Sequence, residues 1–329
     1  MKRFNGIALS VAFCSLASQA ALAQTKIDTL KVQNLNEVIV KGVRAAKEAP
    51  YAVANIRKSE LKQFSCSGQE LPFLLSRTPG ILAWSENGIG TGTTYMRIRG
   101  AAGSRINVTL DGVALNSPED QTVFWANMNS YSSLLGSIQV QRGVGSSTNG
   151  DGAFGGSISM ATAAPSLTPT AEVTGSFGSY NTYHTGASFS TGLLGKHLIF
   201  DGAYHETATD GYVDGTAGRS GSYYGGLTWL SDNFKVSYKN IGNFEKTGQA
   251  WNGVLGGDYN SNFTLLEDGI RTYKDMYKAG LDKFNVLTGD MVRNDKGDYT
   301  ITPYTLRDGS KWDKTTDNFY QNHNILSAT

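Results

Sequence analysis

Through the second half of the chain, apolar and polar residues alternate with period two. Ala171, Val173 and Phe177 interleave with Thr170, Glu172, Thr174 and Ser176. Leu198, Phe200 and Tyr204 interleave with His197, Asp201 and His205, and Phe234, Val236 and Tyr238 with Lys235, Ser237 and Lys239. A strand sends successive side chains to opposite faces, so this pattern predicts strands with one greasy and one wet face. A soluble sandwich shows the same alternation, and the connection lengths discriminate better. Gly192–Lys196 and Ser231–Asn233 are short, whereas Thr207–Gly218 and Asn243–Asn318 are long. Short turns at one end and long loops at the other fit an outer-membrane barrel.

Between residues 50 and 165 the pattern is different. Ser67-x-x-Glu70 resembles a capping box ahead of Leu71, Leu74 and Leu75, and Pro72 puts the start of a regular helix near Gln69. Arg77-Thr78-Pro79-Gly80 ends it, because Pro79 disfavours helical geometry at Thr78 and Gly80 permits a sharp turn. Strands are predicted at Tyr95–Arg99, Ile106–Leu110, Ser137–Gln141 and Ser157–Met160, with a turn at Asp111-Gly112. The glycines do not make a nucleotide site. Gly145 to Gly150 has P-loop spacing, but Asp151 stands where a phosphate-binding lysine is needed, and Gly152-x-x-Gly155-Gly156 leads into a strand. Close backbone packing and tight turns explain them better.

The amino terminus adds a compartment. Lys2 and Arg3, an apolar run from Ile7 to Leu16 and the small-x-small step Ala21-Leu22-Ala23 make residues 1–23 a signal peptide cleaved after Ala23. The run is broken by Ser15, Ser18 and Gln19 and is shorter than the roughly 20 residues a helical span needs. Without the leader the chain holds 27 basic and 28 acidic residues, which excludes a nucleic-acid binder by charge. Cys66 is then the sole cysteine, so neither an internal disulfide nor a cysteine-based zinc site can form. Glycine at 39, Tyr plus Phe at 30 and proline at 7 favour β structure. Residues 24–49 are polar apart from one β-branched island, Glu37-Val38-Ile39-Val40, and read as a flexible segment with one strand-competent patch.

Five steps in order carry a resemblance: Pro79-Gly80-Ile81, Ile98-Arg99-Gly100, Asp111-Gly112-Val113, Val140-Gln141-Arg142-Gly143 and Gly155-Gly156-Ser157-Ile158-Ser159. This order, behind a secretory leader, resembles the plug domain of TonB-dependent outer-membrane receptors. Ser147-Thr148-Asn149-Gly150 departs from the Tyr-Gly step of many relatives. The resemblance implies a mostly β chain, in which a small α/β plug over 50–165 precedes an incomplete transmembrane antiparallel β-barrel over 166–329. It implies a TonB box at Glu37, Val38, Ile39 and Val40, docking as an added strand on the TonB energy-coupling protein in the periplasm. It assigns Arg97, Arg99, Arg105 and Arg142 to the plug–barrel boundary, and Gly100, Asp111, Gly112, Gly143, Gly155 and Gly156 to plug turns.

A transporter that holds a plug needs about 22 strands. Only 164 residues follow Pro165, and about six strands can be counted there, the last from Phe319 to Thr329. The sequence therefore reads as an amino-terminal fragment, or a truncated product that has lost function. With no added domain ahead of the box, the resemblance implies import of an iron–siderophore complex, with cobalamin, haem or glycan import as alternatives and no cofactor. Ligand-contact candidates are Trp84, Glu119, Asp120, Phe124 and Trp125 in two apical loops, and Trp251, with Tyr259, Tyr273 and Tyr277, in the long loop. Aromatics there suit a flat, greasy chelate. A surface adhesin explains the leader and the aromatics but not the order of the five steps. No catalytic constellation has usable spacing, so an enzyme is not expected. His184, His197, His205 and His323 are scattered, and no metal site is expected.

Overall fold

The computed structural model describes residues 44–45, 52–144, 153–213, 215–248, 250 and 318–328, together with the backbone of short strands between 290 and 317. The leader, the island Glu37–Val40, and Trp251, Tyr259, Tyr273 and Tyr277 lie outside the described residues.

Strand β1 (Ala52–Arg57) runs into a helix over Lys58–Ser65, neither of which the alternation announces. Glu60 accepts the backbone N–H of Arg57 at 2.9 Å and so fixes the helix start. Leu61 and Phe64 turn into the core. The second helix, Leu71–Leu75, is shorter than the sequence suggests. Glu70 is its N-cap, and Pro72 sits in the first turn, where a missing N–H costs nothing. Ser67 instead receives the Gln69 N–H, and the chain leaves through successive turns at Arg77 and Thr78.

Strands β2 (Ile81–Ser85) and β3 (Thr94–Ile98) form a hairpin, and β4 (Ile106–Leu110) and β5 (Val113–Ala114) a second one. A helical turn at Trp125–Met128 and a short helix at Tyr131–Leu134 lead to β6 (Leu135–Arg142) and β7 (Gly156–Thr162). One sheet has the order β1-β6-β7-β4-β5, antiparallel except where β4 runs parallel to β7. Its core is apolar: Leu61, Leu75, Ile98, Leu110, Ile138 and Ile158 are all but sealed from solvent, together with Tyr131.

Strands β8 (Thr170–Phe177), β9 (Tyr183–Ser190), β10 (Leu198–Thr209), β11 (Gly218–Leu230) and β12 (Lys235–Gly248) make an antiparallel meander. Short strands β13 (Asp290–Arg293) to β14 (Tyr299–Thr302) and β15 (Tyr304–Thr305) to β16 (Lys311–Trp312) form separate pairs. The last strand, β17 (Thr316–Ala328), returns beside β12 and completes a six-stranded wall of order β17-β12-β11-β10-β9-β8. Strands β10 to β12 reach further than the alternation suggests, so the connection read from Asn243 starts only after Gly248.

The two faces of the wall separate as expected. Val173, Phe177, Phe200, Tyr204 and Tyr238 point outward and are exposed. The opposite face is covered. Ser222, Ser237, His205 and Lys239 are buried there, and Ile241 and Ile325 join the core cluster of the amino-terminal domain. That domain therefore packs against the wall's inner face.

Candidate functional site

Four of the five quoted steps meet at one place in the amino-terminal domain. Arg99 and Gly100 both have positive φ between the bridged residues Ile98 and Ala101, as a two-residue reverse turn of type I′ requires. Arg99 N–H donates to the Gly80 carbonyl at 2.7 Å, and the Arg142 guanidinium donates to the Pro79 carbonyl at 2.8 Å. Gly143 N–H donates to the Gly155 carbonyl, and Gly155 N–H to the Arg105 carbonyl. A Cβ on Gly156 would come within 2.4 Å of the Gln141 carbonyl oxygen, so backbone approach there excludes any side chain. The glycines are thus packing positions around an arginine hub.

The fifth step joins the domain to the wall. Asp111 and Gly112 form a turn with both φ positive, and the turn presents the Asp111 carboxylate to Lys239 of β12. Lys239 Nζ lies 2.8 Å from Asp111 Oδ2, with the two side chains only 8% and 3% exposed. Thr162 completes the cluster: its N–H donates to Asp111 Oδ1 at 2.9 Å, its hydroxyl donates to Oδ2 at 2.8 Å, and the ammonium also reaches that hydroxyl. A pair this dry holds only with such further bonds. It lies toward the end of the wall where the short turns are.

Toward the long connections the seam has another character. Glu70 is buried and accepts the Asn129 side-chain N–H at 2.8 Å. The same amide reaches Ser220 of β11, while the Asn129 carbonyl accepts Asn243 of β12 at 3.3 Å. Burial raises the Glu70 pKa well above the usual carboxylate range, the negative charge of Glu245 raises it further, and the Gly92 backbone opposes this. The tip of the β2–β3 hairpin reaches the rim, where Tyr212 N–H donates to the Asn87 carbonyl at 2.9 Å and Gly92 lies against Thr247.

Among the arginines, Arg99 and Arg142 enter the hub, while Arg97 lies over the Trp84 ring at 6.0 Å and Arg105 is exposed. Among the described residues, none of the four makes an ion pair with the wall; Lys239 makes that contact and the sequence reading passed it over. Trp84 stacks on Tyr95 at 5.4 Å, so Leu82, Trp84, Tyr95 and Arg97 form one exposed face of the hairpin. Phe124 is exposed, and so are Glu119 and Asp120. Trp125 must be corrected: it is 5% exposed and part of the core, so it offers no ring to a ligand.

Two further groups were missed. Arg44, four residues beyond Val40, donates to Ser137 Oγ at 2.9 Å on β6 and to the Ser159 carbonyl at 3.0 Å on β7. Ala45 follows with a 2.7 Å bond to the Gln139 side chain. His184 and His205 stack at 5.7 Å on the wall's inner face, brought together by strand pairing that sequence distance hides. His197, read as sharing a strand face with His205, sits ahead of β10 and stacks on Trp229 instead. Among the described residues no three His, Cys, Asp or Glu groups are placed to hold a metal ion.

The family model of the TonB-dependent Receptor Plug Domain matches residues 45–157. No curated protein matches the chain. Among solved structures, the ferripyoverdine receptor of the outer membrane of Pseudomonas aeruginosa, bound to ferripyoverdine, is 14% identical. The match covers 85% of this chain and 32% of that one, with a TM-score of 0.57. FpvA of P. aeruginosa bound to heterologous pyoverdines is 16% identical over 61% of this chain and 26% of that one, with a TM-score of 0.50. The FpvAI–pyocin S2 complex gives 15%, 61%, 25% and 0.51 for the same quantities. The chain thus spans a quarter to a third of the length of these structures, and at such identities the likeness is one of fold. Residues 45–157 thus match the plug domain of TonB-dependent receptors, and together with the six-stranded wall they share their fold with part of the ferripyoverdine receptor structure.

Proposed function

We propose that this chain serves TonB-dependent import of a scarce, bulky ligand across the outer membrane, and that the ligand is a ferric chelate of the siderophore class. The observation that carries this reading is the contrast between the plug's own large apolar core and the seam with the wall, where buried polar and ionic contacts stand beside Ile241 and Ile325. A domain that must move as a unit needs that division: cohesion within, releasable bonds without. The exposed Trp84–Tyr95 face with Arg97 offers ring surface and positive charge to a flat anionic chelate. The receptor of similar fold bound to ferripyoverdine supports that choice of ligand class.

In this mechanism the segment Glu37–Val40 adds as a strand to the TonB protein in the periplasm, and tension on it reaches the plug through Arg44 and β1. Proline has no N–H to give to a strand pairing, so Val38→Pro should abolish uptake of a radiolabelled ferric siderophore while leaving its binding to the cell surface unchanged. Undiminished uptake in that variant would overturn the assignment of the box. Loss of surface binding as well would show that the substitution acts on the fold.

A further inference from the structure

From the outward face of the wall we infer an interface with a second copy of this chain, centred on Asn240 of β12 and on Asn322 and Asn324 of β17. The inference rests on the outer-membrane placement proposed above.

The strand register sets the outward side chains of β11, β12 and β17 in rows. Leu227, Tyr238 and Leu326 form one, Gly225, Asn240 and Asn324 the next, then Tyr223, Gly242 and Asn322, and then Gly221, Phe244 and Tyr320. The outward band of a membrane barrel is apolar, so three amides between Leu326 and Phe244 stand at a level where lipid has no use for them. They bond to one another only in part. Asn240 Nδ2 donates to Asn322 Oδ1 at 2.7 Å and to Asn324 Oδ1 at 2.8 Å, and the Tyr238 hydroxyl donates to Asn324 Oδ1 at 2.6 Å. Asn324 Nδ2 donates to Asn322 Oδ1 at 2.9 Å, and Asn322 Nδ2 to the Tyr223 hydroxyl at 3.1 Å. One N–H of Asn322, one N–H of Asn324 and the Asn240 Oδ1 are left without a partner among the described residues. Asn322 and Asn324 are exposed. Acyl chains offer neither donor nor acceptor, and an amide left unpaired among them is costly.

The same surface carries a recess that identifies the occupant. The rings of Phe189, Phe244 and Tyr223 lie over the outward glycines Gly202, Gly221 and Gly242, whereas a side chain added at Gly225 would meet nothing within 4 Å. Gly225 is exposed and sits directly opposite Asn240 in the register. The patch thus holds spare donors on β17, a spare acceptor on β12 and an empty space on β11. A second copy supplies the complement of all three. A two-fold axis along the membrane normal and close to β12 sets β17 of one copy against β11 of the other. An amide from β17 then enters the space at Gly225 and gives its N–H to the Asn240 carbonyl, and symmetry makes each contact twice.

The test uses the full-length protein in isolated outer membranes, carrying Cys66→Ser so that one introduced cysteine reacts with a short thiol–thiol crosslinker. Asn240→Cys should run mostly as a crosslinked dimer on denaturing electrophoresis. Val173→Cys, exposed on β8 four strands from β12, should stay a monomer. Adding Gly225→Trp to Asn240→Cys should abolish the dimer, and the open space at Gly225 lets the strand carry the ring without refolding. Equal crosslinking in Val173→Cys would mean random collision and would overturn the interface, as would a dimer that persists with Gly225→Trp or no crosslink in Asn240→Cys. A crosslinked product of any mass other than two copies would overturn the second copy as occupant. Failure of the protein to fractionate with outer membranes would instead strike the membrane placement, which separates the two ideas.

Discussion

The plug meets the wall at two levels, and they are built on opposite electrostatic plans. Toward the short turns, a buried carboxylate and a buried ammonium face each other, with Thr162 completing their bonds. Toward the long connections, the buried group on the plug is again a carboxylate, Glu70, but the charge that acts on it from the wall is that of Glu245, of the same sign. One level holds an opposite pair and the other a like pair, with Asn129 joining Glu70 to Ser220. The short-turn level therefore joins opposite charges, whereas the long-connection level sets two carboxylates against each other.

The largest effect should come from breaking the attractive level. Lys239→Met leaves Asp111 buried with hydroxyl and amide partners only, and removing one member of such a pair costs about 3–5 kcal/mol. Chemical denaturation should show that loss, and the double variant Asp111→Asn with Lys239→Met should recover most of it, since Asn tolerates the positive φ at this turn. A loss below about 1 kcal/mol in the single variant would show that the contrast between levels carries no energy.

A smaller effect is expected from the tether. Arg44→Ala removes hydrogen bonds to both β6 and β7, with about 1–3 kcal/mol at stake. Its diagnostic outcome is in transport: surface binding of a ferric chelate should persist while uptake falls. Parallel loss of both would reduce Arg44 to a structural residue.

The subtlest prediction concerns the repelling level. Glu70 has a folded-state pKa above its unfolded value, so its contribution to stability is full below the ordinary carboxylate range near 4.3 and is lost as pH rises through the raised value. Glu70→Gln keeps an acceptor for Asn129 and removes the charge. Thermal melts at pH 5 and pH 8 should then show a smaller decline for the variant than for the parent chain. Identical declines would place the pH dependence elsewhere.

Much of this was legible in the sequence, for physical reasons that differ between regions. The wall strands could be read because one face is greasy and the other wet, and Phe200 against Asp201 shows it in two residues. The turn at Asp111-Gly112 was legible from its chemistry. Its partner Lys239 was not, because 128 residues separate them and only the fold sets one before the other. Strand β1 stayed hidden because Ala52–Arg57 mixes small and polar residues on an edge, where burial imposes little pattern. Trp125 misled because an aromatic in a loop-like stretch looks available, whereas a short helical turn folds it into the core. Arg44 sits in a polar stretch with no periodicity to mark it.

The position of β1 in its sheet has a mechanical meaning. It lies at the edge, paired with β6 alone through six residue pairs from Ala52 to Arg57, while β6, β7 and β4 stay joined to one another without it. A strand at an edge can be peeled off one pair at a time, like a strip of tape, and laid back on the same template. Repeated use would then cost the domain a margin and never its middle.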